Sequence, residues 1–594
     1  MLAYLAPSNG VLGVWVRTIG QADDRVVARD PKRPIMNVFW QGDSRHVLYL
    51  QDAGGDENHH LFQAPLDGGA ARDLTEGEGA KAGGALLAVD HRRPQELLIG
   101  WNLRDRAAFD AYRIDLDSGR AVIDTENPGN VILWIPDNDF AVRADVAQNA
   151  DGSASIIVRD DVVSPWRTLA DFSFIDGQPH VIAFSSDNTQ LYATTAKDSN
   201  TKRLLSYGLA SGSVQALALD PIYDVSSAFI DRGTRELCAA AILRDRLEWI
   251  PFTNRIEADL AAVSGAHPGD VEFIDASADG NQLVVRYIVD DGPEAFFIYN
   301  RDDKKSTFLF SERPALEEVS LSKMLPIAFA ARDGLEIHGY LTLPAGTEGR
   351  RLPAVLYVHG GPWHRDRWGY EPLVQWLANR GYAVLQVNFR GSTGYGRAFL
   401  NAGNREWGGA MRTDLLDARD WAVAQGYADP ERFAIFGGSY GGYAVLAALT
   451  FTPDAFTCGV DIVGPSDLRT FIDSIPPYWK PMQSMLRERV GDDPAFLAAQ
   501  SPLGRVAEIR VPLLIAQGAN DPRVPQRESD QIVAAMRQNG IPVTYVLFED
   551  EGHGFANPSN SIRFFAAAES FLGETLGGRV EPPHRGEEIE AFLR

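Results

Sequence analysis

Cysteine is nearly absent from this chain of 594 residues, which contains only Cys238 and Cys458. Two thiols so far apart cannot form the disulfide framework of a small secreted domain, and neither has a zinc-type ligand at short spacing. Long apolar runs are missing as well, and none approaches the roughly 20 residues that a membrane-spanning helix needs. We therefore expect no structural metal and no membrane partner.

Basic residues are in deficit. Lys and Arg total 56 against 80 Asp and Glu, which gives a formal net charge of −24. Because a chain with this net charge repels phosphates, nucleic acid is not an expected partner. There is also no polybasic tract that could bind an anionic membrane surface. Hydrophobic residues make up 45% of the chain, which is typical of a folded globular protein. Its length exceeds what one hydrophobic core supports, so two large domains are expected.

The amino terminus has no basic region, no long apolar segment and no small-residue cleavage site, so it does not resemble a signal peptide. It predicts instead a strand at 2–5, a turn at 7–10 and a strand at 11–16. The sequence as it stands therefore predicts a cytoplasmic location. A periplasmic or secreted location stays open if an upstream segment has been removed.

Short strands separated by tight turns account for the chain up to about residue 322, with almost no helical periodicity. Turns that contain Asp recur about every 45 residues, which is the length of a four-stranded propeller blade. This spacing predicts an N-terminal β-propeller of about seven blades over 1–322, and an incomplete first blade is left open. The alternative is a pair of β-sandwiches.

From about residue 323 apolar strands alternate with amphipathic helices. This alternation predicts a C-terminal α/β-hydrolase domain over 323–580, with a mostly parallel, doubly wound sheet. A polar tail is expected over 581–594.

The strand predicted at 433–436 is followed by G-x-S-x-G at 437–441 and then by a helix. In this setting the pattern indicates a nucleophile elbow with Ser439 at its tip. Side chains at Gly437 and Gly441 would collide with the adjoining strand and helix, because the turn is so tight. Ser439 is therefore the candidate nucleophile.

A serine hydroxyl needs a base and an orienting acid, which follow it in the order Asp, His in α/β-hydrolases. After Ser439 the only histidines are His553, in a loop after a predicted strand, and His584, in the polar tail. We assign His553 as the base. Asp521, which also follows a strand, is assigned as the acid. Its rivals Asp550 and Glu551 are expected to form a solvated acidic turn.

An oxyanion formed at the substrate requires preorganised N–H donors. One is expected to be the backbone amide of Tyr440, which follows the nucleophile. The other is expected from His359-Gly360-Gly361, after an earlier strand, and we assign it to the Gly361 amide with Gly360 as the competitor. His359 is interpreted as a residue that supports this loop. Chemistry of this kind needs neither a metal nor a cofactor.

Five segments of the C-terminal half, in order along the chain, resemble the prolyl oligopeptidase family of serine peptidases. They are VLYVHGGPW at 355–363, NFRGSTGYG at 388–396, GGSYGGY at 437–443, GANDPRVP at 518–525 and GHGF at 552–555. The HGGP sequence resembles the acylaminoacyl-peptidase branch, and the strand repeats fit the β-propeller of that family. The resemblance implies that the propeller limits substrate size.

The resemblance also implies substrate contacts. Arg523 matches an arginine that binds a substrate carbonyl near P2, and Val524 matches a wall of the P1 pocket. The segment 471–479, which includes Trp479, lies where the family builds the rest of that pocket. Glu57 lies in a polar stretch that we interpret as a solvated hairpin tip, although in some members propeller acids capture a substrate amino terminus.

The sequence thus predicts a serine peptidase that hydrolyses short peptides through an acyl-enzyme intermediate. One alternative is an esterase or aryl acylamidase that uses the same three residues, because the elbow does not distinguish these substrates. A second is a non-catalytic propeller module that binds partners. Endopeptidase or exopeptidase action, the P1 preference and a homo-oligomeric state are left open.

Overall fold

The computed structural model describes residues 1–77, 79–347 and 349–582. The tail predicted at 581–594 lies outside the described residues except for its first two positions. Small antiparallel sheets make up the first half of the chain, and one eight-stranded sheet organises the second half. The predicted fold class, a seven-bladed propeller followed by an α/β-hydrolase, is confirmed.

Each blade is a sheet whose strands follow one another in chain order. The first three blades consist of β1 (Leu2–Ser8), β2 (Val11–Arg17) and β3 (Arg25–Ala28); β4 (Asn37–Trp40), β5 (His46–Gln51), β6 (His60–Pro65) and β7 (Arg72–Asp73); and β8 (Ala82–Val89), β9 (Glu96–Asp105), β10 (Ala108–Asp115) and β11 (Ala121–Thr125). Blade four consists of β12 (Val131–Pro136), β13 (Val142–Gln148), β14 (Ala154–Val158) and β15 (Arg167–Phe172).

The remaining blades continue the ring. They consist of β16 (His180–Phe184), β17 (Gln190–Thr195), β18 (Arg203–Gly208) and β19 (Val214–Ala218); β20 (Val225–Ile230), β21 (Leu237–Leu243) and β22 (Leu247–Pro251), followed by helix α1 (Asn254–Val263); and β23 (Asp270–Ala276), β24 (Gln282–Ile288), β25 (Ala295–Asn300) and β26 (Lys305–Ser311). The ring closes where the Arg17 guanidinium donates to the Leu309 carbonyl at 2.8 Å.

The middle strands of the blades are nearly continuous apolar runs, and apolar and polar residues do not alternate along them. In β5 and β21 almost every side chain is buried, because both faces of a blade pack against neighbouring blades. Residues of adjacent blades such as Ile156 and Leu191 share one hydrophobic cluster. The inter-blade contacts therefore form the core of the propeller, in place of a single central core.

The C-terminal sheet has the strand order β27-β28-β30-β29-β31-β32-β33-β34. Its strands are β27 (Met324–Ala330), β28 (Glu336–Thr342), β29 (Leu352–Val358), β30 (Ala383–Asn388), β31 (Ala428–Gly438), β32 (Cys458–Ile462), β33 (Leu513–Gly518) and β34 (Val543–Phe548). The pairs β27–β28 and β28–β30 are antiparallel, and all other pairs are parallel. Strand β32 has only five residues, which include Gly459 and the acidic residue Asp461.

Helices cover both faces of this sheet. They are α2 (Pro372–Asn379), α3 (Gly396–Asn401), α4 (Ala410–Ala424), α5 (Tyr440–Phe451), α6 (Leu468–Asp473), α7 (Gln483–Val490), α8 (Pro494–Ala499), α9 (Arg527–Gln538) and α10 (Pro558–Leu576). One core cluster contains side chains of α4, α5 and α9, and a second contains those of α2 and α10. None of the described helices has the length and hydropathy to cross a bilayer.

The two domains contact each other on two sides of the propeller. On one side Arg365, just after the HGGP sequence, donates to the carbonyls of Leu243 and Arg244 in blade six. On the other side the loop at 52–59, between β5 and β6, packs against the loops that follow β33 and β34. This second contact brings blade two to the predicted catalytic residues.

Candidate active site

The predicted elbow is formed where β31 ends and α5 begins. Ser439 lies between them with φ 58° and ψ −119°, a positive-φ conformation that residues other than glycine rarely adopt. Its amide donates to the carbonyl of Ile462 at 2.8 Å, and its carbonyl accepts from the amide of Tyr443 at 3.0 Å. These backbone bonds on either side hold the strained residue in place.

Glycines surround Ser439 because neighbouring backbone leaves no room for a Cβ atom. A Cβ on Gly441 would overlap the carbonyl oxygen of Val358 in β29, and one on Gly437 would lie 2.5 Å from the carbonyl carbon of Gly441. A Cβ on Gly442 would overlap the carboxylate of Asp461. The close packing of the strand and helix therefore depends on these positions being glycine.

Asp521 and His553 meet at the carboxyl end of the sheet, although 32 positions separate them in sequence. His553 Nδ1 lies 2.7 Å from Asp521 Oδ2. The other oxygen, Oδ1, accepts the amides of Arg523 and Val524 at 2.8 and 2.9 Å. Because the carboxylate accepts from Nδ1–H, Nε2 is left as the basic nitrogen of the ring. The rival His584 lies outside the described residues.

The HGGP loop lies beside the elbow. A Cβ on Gly360 would lie 3.4 Å from the Cβ of Ser439, so the backbone here passes directly over that residue. Gly361 has a φ of 116°, which favours glycine. The sequence placed both glycines near the nucleophile. That the Gly361 amide, rather than that of Gly360, binds the oxyanion remains a prediction.

His359 supports this loop from below. Its Nδ1 donates to the carbonyl of Gly360 at 2.8 Å, its Nε2 lies 3.0 Å from Ser392 Oγ, and its ring stacks on Phe389. Complete burial lowers the pKa of His359 to about 3, so the ring is neutral at physiological pH. A buried, neutral and fully engaged imidazole agrees with a supporting role.

Glu57 of the propeller lies within this site, and its interpretation as part of a solvated hairpin tip was wrong. Its side chain is only 13% exposed. Arg523 Nε lies 2.7 Å from Glu57 Oε1, an ion pair without the alignment of a hydrogen bond. The Tyr478 hydroxyl donates to Oε2 at 3.1 Å, and Lys81 Nζ lies 3.4 Å from the same oxygen. The carboxylate is thus paired from three directions.

Neighbouring positive charges keep the Glu57 carboxylate ionised. Burial alone would raise its pKa, but the cations of Arg523 and Lys81 and the hydrogen bonds at the carboxylate hold the pKa below its usual value. Glu57 is therefore an anion at neutral pH, next to the loop that carries Asp521.

The remaining predicted contact residues are Val524 and Trp479. Val524 is buried and its amide binds Asp521. Trp479 is partly buried, with its ring edge-on to Tyr478 at 6.4 Å. Sequence reasoning missed Lys81, which lies in no motif. Tyr478 belongs to the predicted pocket segment 471–479, but its contact with Glu57 was not predicted.

Glu551 is the second acid that the sequence misjudged. It was expected in a solvated turn, yet its side chain is fully buried two residues before His553. Its carboxylate accepts from the amides of Ala556 and Asn557, from Asn560 Nδ2 and from Arg33 of the propeller. Glu551 therefore anchors the histidine loop, both to the start of α10 and to the other domain.

Across 1–77, 79–347 and 349–582, no three His, Cys, Asp or Glu side chains are grouped so that they could hold a metal ion. The site instead combines a strained serine, a histidine–aspartate pair and a backbone loop rich in glycine. A propeller packed on an α/β-hydrolase with this arrangement defines the class of propeller-bearing serine hydrolases.

Similarity to known proteins makes the assignment specific. Residues 368–579 match the Prolyl oligopeptidase family. The chain is 43% identical to Dipeptidyl aminopeptidase BIII of Pseudoxanthomonas mexicana over 98% of its own length and 86% of that protein. It is 34% identical to Dipeptidyl peptidase family member 6 of Caenorhabditis elegans, over 99% of its length and 85% of that protein. The chain belongs to the prolyl oligopeptidase family.

Solved structures agree on the fold. A puromycin-hydrolyzing peptidase of Mycobacterium tuberculosis superimposes with a TM-score of 0.76 at 23% identity, over 97% of this chain and 93% of that one. The family predicted from the motifs is confirmed. The protein is a serine-type peptidase that acts on short peptides.

Proposed function

We propose that this peptidase is a dipeptidyl aminopeptidase, which releases two residues at a time from peptides with a free amino terminus. The observation that carries the proposal is the Glu57 carboxylate, an anion beside Arg523, which follows Asp521 by two positions. A fixed carboxylate near the scissile bond selects a positively charged amino terminus. The names of the two relatives that align over nearly the whole chain support the same assignment.

The reaction begins with attack of Ser439 Oγ on the carbonyl carbon of the second residue. His553 Nε2 takes the hydroxyl proton, while Asp521 holds the ring and stabilises the imidazolium. The amides of Tyr440 and Gly361 bind the oxyanion of the tetrahedral intermediate. His553 then protonates the leaving amine, and water, activated by His553, releases the dipeptide from Ser439.

Substrate is positioned by groups outside these three residues. The α-ammonium pairs with Glu57, and Arg523 binds the carbonyl of the first residue through nitrogens that Glu57 leaves free. Val524 and Trp479 line the pocket for the second side chain. A tethered amino terminus sets the distance to Ser439, so the cut falls after a fixed number of residues.

The proposal is tested with a pentapeptide and its N-acetylated form, with products identified by mass spectrometry. Only the free peptide is expected to be cut, and the first product is its N-terminal dipeptide. Ser439→Ala, which keeps the fold, should lose about 10⁴-fold or more in kcat and should not react with a fluorophosphonate probe. Equal cleavage of the acetylated peptide, or cuts at internal bonds, would contradict the proposal.

Glu57→Gln tests the anchor itself. Loss of the carboxylate is expected to lower kcat/KM for free dipeptidyl anilides by about 30-fold or more, because a buried charge pair loses one partner. Asp56→Asn is the matched control, since Asp56 lies in the same loop but, among the described residues, its side chain bonds only Asn58 and the Ala53 amide. A Glu57→Gln enzyme with unchanged selectivity for the free amine would remove Glu57 from the proposal.

A further inference from the structure

Lys81 places a primary ammonium group against the carboxylate of Glu57. It lies between blades two and three, just before β8, and its side chain is 12% exposed. Besides its contact with Glu57 Oε2 at 3.4 Å, Nζ lies over the ring of Tyr478, 4.4 Å from the ring centroid. A carboxylate oxygen and an aromatic face are the two groups that proteins commonly offer to an ammonium ion.

The two oxygens of Glu57 are not equivalent. Oε1 is paired with Arg523. Oε2 faces the Tyr478 hydroxyl and Lys81. A ligand cation that approaches Glu57 without displacing Arg523 must therefore use the side where Lys81 Nζ already lies.

We propose that the ammonium group of Lys81 occupies the α-ammonium site of the substrate in the free enzyme and is displaced when a peptide binds. Because the peptide amino terminus must compete with Lys81 for Glu57, Lys81 lowers the affinity of the enzyme for every ligand that binds there. The inference rests on the proposed dipeptidyl aminopeptidase function. It assigns Lys81 as a specificity-determining residue that contacts none of the reacting atoms.

Displacement follows from charge and from flexibility. Two ammonium ions at one oxygen repel each other, and the repulsion is strong in a site with little water. The lysine stem has four rotatable carbons, so Nζ can leave while the backbone stays in place. The Lys81 side chain is only 12% exposed, so its ammonium is poorly solvated here. Burial accordingly lowers the pKa of Lys81, and Glu57 partly opposes that effect. In water it would regain its hydration.

A ligand must then offer more than a lone amine. A free peptide forms contacts with Arg523 and the neighbouring pocket as it displaces Lys81. A simple alkylamine only replaces the contacts that Lys81 loses, those with Glu57 and the ring of Tyr478. The wild-type enzyme is therefore expected to reject small amines and to accept peptides.

The test compares wild type, Lys81→Met and Lys81→Arg on a free dipeptidyl anilide and on its N-acetyl form. Methionine keeps an unbranched apolar stem and removes the competing charge, so KM for the free substrate should fall about three- to tenfold, as expected for loss of one ion pair and one cation–π contact. kcat should change less than about twofold. Lys81→Arg keeps a competing cation and should retain a KM close to that of wild type.

The matched control is Lys197→Met. Lys197 also lies in the propeller, near a ring and bound to a backbone carbonyl, with Nζ 5.6 Å from the Phe172 ring centroid and 2.7 Å from the Asp171 carbonyl oxygen. Its KM should equal that of wild type. Titration of Ser439 with a fluorophosphonate gives the folded, active fraction of each variant, and Lys81→Gln provides a second neutral side chain if the methionine variant folds poorly.

Two failures can be told apart. If the neutral variants raise KM or leave it unchanged while wild type still requires a free amine, Lys81 supports Glu57 and the inference is overturned, although the proposed function stands. If wild type hydrolyses free and acetylated substrates equally well, the proposed function fails first, and the inference fails with it. A fall in KM confined to the free substrate supports both.

Discussion

Arg33 of the propeller holds Glu551 of the hydrolase, with Nη1 3.1 Å from a carboxylate oxygen of Glu551. The same guanidinium is bidentate to Asp52, through Nε at 2.7 Å and Nη2 at 2.9 Å. Glu551 is two residues before His553, and Asp52 begins the loop that carries Glu57. One side chain therefore links the position of the predicted base to the position of the proposed amine anchor.

Arg33→Met should uncouple these two loops. Both Glu551 and Asp52 are buried, and a buried carboxylate that loses its cation costs about 3 kcal/mol, less where other hydrogen bonds remain. We expect a lower Tm by calorimetry and a fall in kcat/KM of at least about tenfold. Arg313→Met is the control, because the Arg313–Glu312 pair is exposed and such pairs contribute about 0–1 kcal/mol. Wild-type activity in Arg33→Met would show that the link is not needed.

Gly441→Ala should damage the elbow. The added methyl group would overlap the carbonyl oxygen of Val358, and neither β29 nor α5 can move without disturbing Ser439. Overpacking of this kind costs about 1–3 kcal/mol, so we expect a lower urea midpoint together with a loss of activity. Gly265→Ala is the control, since nothing lies within 4 Å of its added Cβ and its φ is not positive. Equal midpoints for the two variants would refute the steric argument.

Asp461 predicts a pH dependence of stability. It is completely buried in β32, where Oδ1 accepts the amide of Gly464 at 2.9 Å and Oδ2 has no hydrogen-bond partner in the part of the chain that the structure describes. Burial raises the pKa of Asp461 from its ordinary value of 3.8 to about 7. Between those pH values the folded protein binds more protons than the unfolded chain, so this group makes stability fall as pH rises from about 4 to about 7.

Asp461→Asn removes that titration and keeps an oxygen for the Gly464 amide. The difference in Tm between pH 5 and pH 8 should therefore be smaller in the variant than in wild type. The Tm of the variant should rise relative to that of wild type at pH 8. Differential scanning calorimetry at both pH values measures it. Asp454→Asn, whose side chain is 80% exposed in wild type, should leave the difference unchanged. The same difference in Asp461→Asn as in wild type would mean that Asp461 is ionised at pH 5.

Local patterns were enough for much of the fold. The alternation of apolar strands with amphipathic helices predicted the hydrolase sheet, in which β32 is short and carries Asp461 within its buried run. The elbow at 437–441 and the loops with Asp521 and His553 were found because a motif and a fixed chain order restrict the choice. The pairing of His553 with Asp521 needed only the parallel order of β33 and β34.

Sequence patterns did not predict that two acidic residues, Glu57 and Glu551, are buried. Glu57 and Glu551 lie in polar stretches that are typical of solvated turns. The Glu57 side chain is nevertheless only 13% exposed beside Arg523, and the Glu551 side chain is fully buried against Arg33. Each of these two arginines is more than 450 positions along the chain from the acid that it pairs with. No periodicity or motif predicts a contact between residues so far apart in sequence. Burial of these carboxylates depends instead on where the propeller packs on the hydrolase.

The sequence by itself determined the two-domain architecture, the tight turn that carries Ser439 and the loops that carry Asp521 and His553, since each depends on neighbouring residues or on strand order. Only the tertiary structure decided which propeller groups reach the site. The loop at 52–59 packs on the loops after β33 and β34. Its Glu57 contacts Lys81 and Tyr478, and the side chains of Glu57 and Lys81 are only 13% and 12% exposed. Weak screening in that poorly solvated space strengthens the interaction of the Glu57 carboxylate with a cation, which is the physical basis of the proposed amine recognition.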